Sequence, residues 1–259
     1  MTKELKNQEI SIGWDVGGWS GKNHGLCILE TFNGELRLTM AEKLTIYAIK
    51  EEIEKIIAEK SDTHKITLGI DAPLQFPKLF QEIIKSNPIN IFQSNPTQKE
   101  NPIAWRQTDL FIKKEFGKTP LSPSFSFLTS NATVAITLLG ELKSKGIDLS
   151  ILPFDKISSI NAIEVYPGLL KSKKIKSSLA FNVYQKILRE SQFQNIEGFE
   201  YYFGEAKVKT DVADAVICAL YGLGLNGHIK SIPNLETTIP SKYLDICKNE
   251  GWIYHPVIS

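Results

Sequence analysis

Hydrophobic and polar positions alternate cleanly at the start of the chain. Ile10, Ile12, Trp14 and Val16 fall on one side of an extended segment and Ser11, Gly13 and Asp15 on the other, a pattern that predicts a half-buried strand. Gly17-Gly18 breaks that strand, and Gly25 to Glu30 reads as a second. Asn33-Gly34 is a hairpin signal because both residues tolerate positive φ, and the next strand aligns Leu36, Leu38 and Met40. The period changes after Thr45. Ile46, Ile49, Ile53, Ile56 and Ile57 recur at helical spacing opposite Lys50, Glu51, Glu54 and Lys55. Lys65 to Asp71 is a further strand, stopped by Ala72-Pro73. A helix between two strands implies a crossover, normally right-handed, so this strand should lie parallel to one of the meander.

Regularity weakens from 73 to 159, where prolines and Asn-rich loops separate helices expected near 77–86, 104–116 and 129–145. This stretch reads as a helical insertion packed against the sheet. Ile160 to Tyr166 restores strand character before Pro167-Gly168. A helix is expected at 178–190, and another starts at Thr210-Asp211 with Val212, Val216, Ala219, Leu220 and Leu223 as its apolar stripe. The expectation is one α/β domain over 1–259: a five-stranded mixed sheet, three antiparallel strands then two parallel, flanked by helices.

Composition narrows the function. The 259 residues carry 30 Lys and Arg against 29 Asp and Glu, a formal net charge of +1, which excludes a strongly cationic whole-molecule nucleic-acid binder. Cys27, Cys218 and Cys247 form no C-x-x-C pair, and the histidines are scattered, so neither a disulfide framework nor a zinc ribbon is indicated. No membrane-length apolar run and no leader-like segment is present, so a reduced, cytoplasmic protein is expected.

The acids fall at informative places. Asp15 and Asp71 end the first and fourth strands, Glu164 lies in the fifth, and Asp211 and Asp214 share one face of a helix's first turn. Functional crevices in parallel α/β sheets lie at the carboxyl ends of strands. Carboxylates gathered there repel one another unless a cation neutralises them, and Mg²⁺ or Mn²⁺ suits an all-oxygen site. Two such ions would stabilise both oxygens of a phosphodiester displacement. Each acid also has an ordinary structural use: Asp15 and Asp71 can close turns, Glu164 can bond strand-end amides, and Asp211 and Asp214 can cap a helix. Arg106 and Asp109, at i and i+3, read either as an ion pair or as a phosphate contact. Lys171, Lys173, Lys174 and Lys176 form the densest basic run and, with Arg106, are candidates to steer a nucleic-acid substrate.

Asp15 with Gly17-Gly18-Trp19, Ile70-Asp71-Ala72-Pro73-Leu74, Arg106-Gln-Thr-Asp109, Glu164-Val-Tyr-Pro167, Asp211-Val-Ala-Asp214-Ala215 and Glu250-Gly-Trp-Ile-Tyr-His-Pro256 resemble, in order, a family of predicted RNase H-like nucleases known as a domain of unknown function. The segment leading to Gly17-Gly18-Trp19 is more compact here than in that family. The resemblance implies an RNase H-like fold, with Asp15, Asp71 and Asp211 or Asp214 as metal ligands. The expected activity is that of a hydrolase, a metal-dependent nuclease, with Glu164 as accessory ligand or water-orienting group.

Other readings stay open. Gly21-Lys22 fails the Walker pattern, because Val16 and Asn23 stand where Gly and Ser or Thr are required. An Asp-x-Gly-Gly turn also resembles the first phosphate hairpin of actin-like ATPases and sugar kinases. Those proteins duplicate the domain, and Asp71 lacks a following glycine pair. A catalytically silent RNase H-like scaffold is the remaining alternative.

Overall fold

In the computed structural model the described residues are 8–19, 21, 23–32, 35–86, 101–124, 128–169, 196–197, 210–226 and 239–255. Their centre is a mixed sheet. Strands β1 (Glu9–Asp15), β2 (His24–Phe32) and β3 (Glu35–Leu44) form an antiparallel meander. Helix α1 (Ile46–Lys60), whose N-terminal Ala48 amide donates to the Thr45 hydroxyl, leads into β4 (Lys65–Asp71). β4 runs parallel to β1, as the crossover required. Helices α2 (Lys78–Lys85), α3 (Gln107–Phe116) and α4 (Leu128–Ser144) occupy the following stretch, close to where periodicity placed them. β6 (Ile160–Val165) pairs parallel with β4, giving the order β3-β2-β1-β4-β6 of an RNase H-like fold.

Five strands undercount the sheet. β5 (Leu149–Ile151) and β8 (Ile253–Tyr254) share the outer edge of β6, each parallel to it, and β7 (Ile196–Glu197) lies on β3. At two or three residues each, they are too short to carry a period that sequence could reveal.

The half-buried expectation for β1 also fails. Only Glu9 and Asp15, at its ends, are partly exposed. Ile10, Ile12, Trp14 and Val16 pack with Ile66, Leu68 and Ile70 of β4 beneath α1 and α4. The opposite face is covered by α5 (Thr210–Leu225), which is why its positions are small. A Cβ on Gly13 would lie 1.8 Å from the Ala215 carbonyl oxygen, and one on Gly69 would lie 2.1 Å from that of Cys218. Ser11 and Gly13 thus mark close approach of a helix backbone, not a wet surface. α6 (Leu244–Glu250) and β8 close the structure around Phe111, Ile112, Cys247 and Trp252. The helix expected at 178–190 lies outside the described residues.

Candidate active site

The parallel register of β1 and β4 sets Asp15 directly opposite Asp71 at the carboxyl ends of both strands. Each is half-buried. By strand alternation both belong to the face that carries Gly13 and Gly69, the face under α5. Gly25, the antiparallel neighbour of Asp15, completes the helix seat: a Cβ there would lie 2.1 Å from the Asp211 carbonyl oxygen. The glycines therefore deliver the N-terminal end of α5, with Asp211 in its first turn and Asp214 just after, to the edge where Asp15 and Asp71 end.

The buried Cys218 thiol lies within the electrostatic reach of three of these acids. Burial pushes its pKa well up, and the charges of Asp71, Asp15 and Asp214 push it further. Asp71 likewise adds to the effect of burial in raising the Tyr166 hydroxyl. Asp211 is committed differently, since Lys43 Nζ reaches its Oδ2 at 2.6 Å, with both side chains 28% exposed. Asp211, in the first turn of α5, is held by a cation from β3, whereas Asp214, just past that turn, adds its charge at the Cys218 thiol alongside the strand-end acids.

Glu164 and Arg106 stand apart from this group of acids. Arg106 is fully buried, with 1% relative exposure, and is turned inward. Its Nη1 and Nη2 donate to Glu164 at 2.7 and 2.6 Å, and its Nε and Nη2 donate to Asp109 at 3.1 and 2.9 Å. Nη1 also reaches the carbonyls of Gln75 and Glu250. Burial works to lower the Arg106 guanidinium, but Asp109 and Glu164 outweigh it and hold it above its ordinary value. Burial lifts the Glu164 carboxyl, against the opposing pull of Arg106 and of the Leu74 amide. A guanidinium so enclosed does not face a phosphate, which corrects the steering role expected for Arg106. Glu164 Oε2 also accepts from the Leu74 amide at 3.0 Å, three residues after Asp71. Its oxygens serve Arg106 and the Asp71 loop, so it positions that loop in place of acting as an open ligand.

Glu250 extends the brace. Its two oxygens accept from the Lys78 and Gln107 amides, at 2.8 and 2.9 Å, and so terminate α2 and α3 together. The motif residues 106–109, 164–167 and 250–255 thus meet in one structural hub. Trp252 and Tyr254, 0% and 2% exposed, belong to its packing, with Phe111, Tyr243 and His255 around Trp252.

The turn between β1 and β2 is locked by a histidine that no sequence motif singled out. His24 Nδ1 accepts from Trp14 Nε1 at 3.2 Å and from the Gly17 amide at 3.1 Å. That leaves Nε2 as the protonated nitrogen, 3.1 Å from the Gly18 carbonyl oxygen. Burial lowers the His24 pKa, with the Gly18 bond opposing it, so the ring is a neutral clasp. Asn131 Nδ2 donates to the Val16 carbonyl, tying the same turn to α4. Gly18, at φ +78°, takes the left-handed conformation the turn needs.

Among the described residues, no three acidic, histidine or cysteine side chains are gathered tightly enough to hold a metal ion. The donor chemistry of Asp15, Asp71 and Asp214 is nevertheless all carboxylate, the type hard divalent cations take. Lys171, Lys173, Lys174 and Lys176 lie outside the described residues. No helix among the described residues is long and apolar enough to cross a membrane. No family model, curated protein or solved structure matches the chain.

Proposed function

We propose that this protein is a metal-dependent nuclease, hydrolysing phosphodiester bonds of nucleic acid at the edge formed by β1, β4 and the first turn of α5. The observation that carries the reading is the pairing of Asp15 with Asp71 at adjacent parallel strand ends, beneath a helix that adds Asp214 to the same field. The ordered resemblance to predicted RNase H-like nucleases points the same way. The pair Asp15 and Asp71 would hold Mg²⁺ or Mn²⁺, with Asp214 and the Lys43-tethered Asp211 at the N-terminal end of α5 contributing charge beside them. Bound there, the ion supplies Lewis-acid stabilisation of the charge that builds on a phosphate under attack.

The remaining roles fall to this chain's own groups. Glu164 holds the Leu74 amide and so fixes the segment that follows Asp71. Arg106 fixes Glu164, and the glycine seat fixes the height of α5 above both strand ends. The acids are half-buried, so each carboxylate is partly withdrawn from bulk water and partly accessible.

The test is cleavage of single-stranded DNA and RNA in Mg²⁺ or Mn²⁺, with EDTA as control. Asp15→Asn should lower cleavage by at least about 100-fold while leaving the circular dichroism spectrum unchanged. Undiminished cleavage by Asp15→Asn would remove the site assignment.

A further inference from the structure

Most of this molecule's tryptophan surface is hidden. Trp14 and Trp252 are fully buried and Trp105 half-buried, whereas Trp19 is 54% exposed. Exposed indoles are usually loosely held, but this one is clamped. Its backbone amide donates to Ser130 Oγ at 3.2 Å and its ring Nε1 donates to Thr133 Oγ1 at 2.9 Å. Ser130 and Thr133 sit in the first turns of α4, and Thr133 Oγ1 in turn donates to the carbonyls of Thr129 and Ser130, both at 2.9 Å. The residues before Trp19 are held by His24 and Asn131. Sequence-distant groups therefore converge to fix the orientation of one solvent-facing aromatic ring.

The place of that ring matters as much as its rigidity. Trp19 follows Asp15 by four residues, which limits the separation of their Cα atoms to about 14 Å. It lies on the turn that leaves the carboxyl end of β1, the edge where Asp15 and Asp71 meet. α4 and the apolar cluster below it cover the sheet face opposite α5, so the Trp19 turn is anchored on the α4 side of the sheet edge and the acids lie on its α5 side. Among the described residues, the groups bonded to Trp19, Ser130 and Thr133, are polar, as is the adjacent Asn131. A single ring is too small for a stable protein interface, which needs roughly 1,000 Å² or more. It matches one planar base.

We infer that Trp19 is a stacking platform for an unpaired nucleobase, making single-stranded nucleic acid the substrate class of the acidic edge. A base resting on the indole would lie on the turn that leaves Asp15, which keeps its neighbouring phosphates at the same end of the sheet as Asp15 and Asp71. The pre-set ring orientation reduces the ordering cost of binding. Unpaired bases are required because a base inside a duplex has no free face to offer. The inference rests on the nucleic-acid reading of the acidic edge, so its test must not depend on catalysis.

The experiment measures binding in EDTA, where no cleavage occurs, by anisotropy of a labelled oligothymidine and of a matched strand lacking bases. Trp19→Ala should weaken oligothymidine binding about tenfold, the size expected for loss of one stacked base, and leave the baseless strand unaffected. Trp19→Phe should restore most of the affinity. Thr133→Val, which frees the indole N–H without removing the ring, should weaken binding in the same direction but less. Absence of oligothymidine binding by the native protein, equal binding by native and Trp19→Ala protein, or an equal loss on the baseless strand would overturn the platform. If the stacking pattern holds but no divalent ion supports cleavage, the nuclease reading fails and the platform stands. Cleavage that persists with Trp19→Ala binding oligothymidine as tightly as the native protein would sink the platform alone.

Discussion

Arg106 shows how one residue can carry two meanings that only folding separates. In the sequence, Arg106 and Asp109 stand i, i+3 and look like a local ion pair or a phosphate contact. In the fold, Glu164 and the Glu250 carbonyl arrive from 58 and 144 residues away and close the cage around the guanidinium. Nothing local announces those partners, so the brace was illegible while its members were individually conspicuous. A buried pair of this kind costs much to break, because removing one side strands an uncompensated charge. Arg106→Met should lower unfolding stability by about 3–5 kcal/mol in urea denaturation, since it leaves Asp109 and Glu164 facing each other. A loss under about 1 kcal/mol would mean that the guanidinium's contacts are not what holds this region together. His24 was illegible for a similar reason: its partners are a backbone amide, a carbonyl and an indole, none of which leaves a spacing pattern.

At the scale of elements, the alternation along β1 was read correctly as a strand and wrongly as a wet face. Small and polar side chains at Ser11 and Gly13 have two explanations, solvent or a close neighbour, and periodicity does not choose between them. The Ala219 carbonyl accepting from Ser11 Oγ, and the Ala215 carbonyl over Gly13, decide for the neighbour. The same substitution at two glycines separates the cases. Gly13→Ala would place a methyl 1.8 Å from a backbone oxygen that has no rotamer to yield, so a loss of at least about 3 kcal/mol is expected. Gly140, exposed in α4 with open space where its Cβ would be, should gain about 0.5–1 kcal/mol as Gly140→Ala. Thermal melts of both variants check the pair. Equal effects would mean that α5 does not sit on the glycine seat.

The whole molecule was the more legible scale. A meander, one helix and a returning strand permit few arrangements, and the parallel pairing of β1 with β4 followed from that order. Asp15 and Asp71 became neighbours as a consequence of topology, which is why sequence could bring them together across 56 positions of chain. It could not apportion the roles of Asp211 and Asp214, because Lys43 reaches Asp211 from β3 through tertiary packing alone. Nor could it find the short strands β5, β7 and β8. In the proposed function, the paired strand-end acids form a divalent-cation site. A crystal soaked in Mn²⁺ tests it most directly, since anomalous scattering locates the ion without assuming a substrate. A peak coordinated by carboxylate oxygens of both Asp15 and Asp71, with Asp214 nearby, is the expected result. A well-ordered edge without such a peak, in a crystal saturated with Mn²⁺, would contradict it.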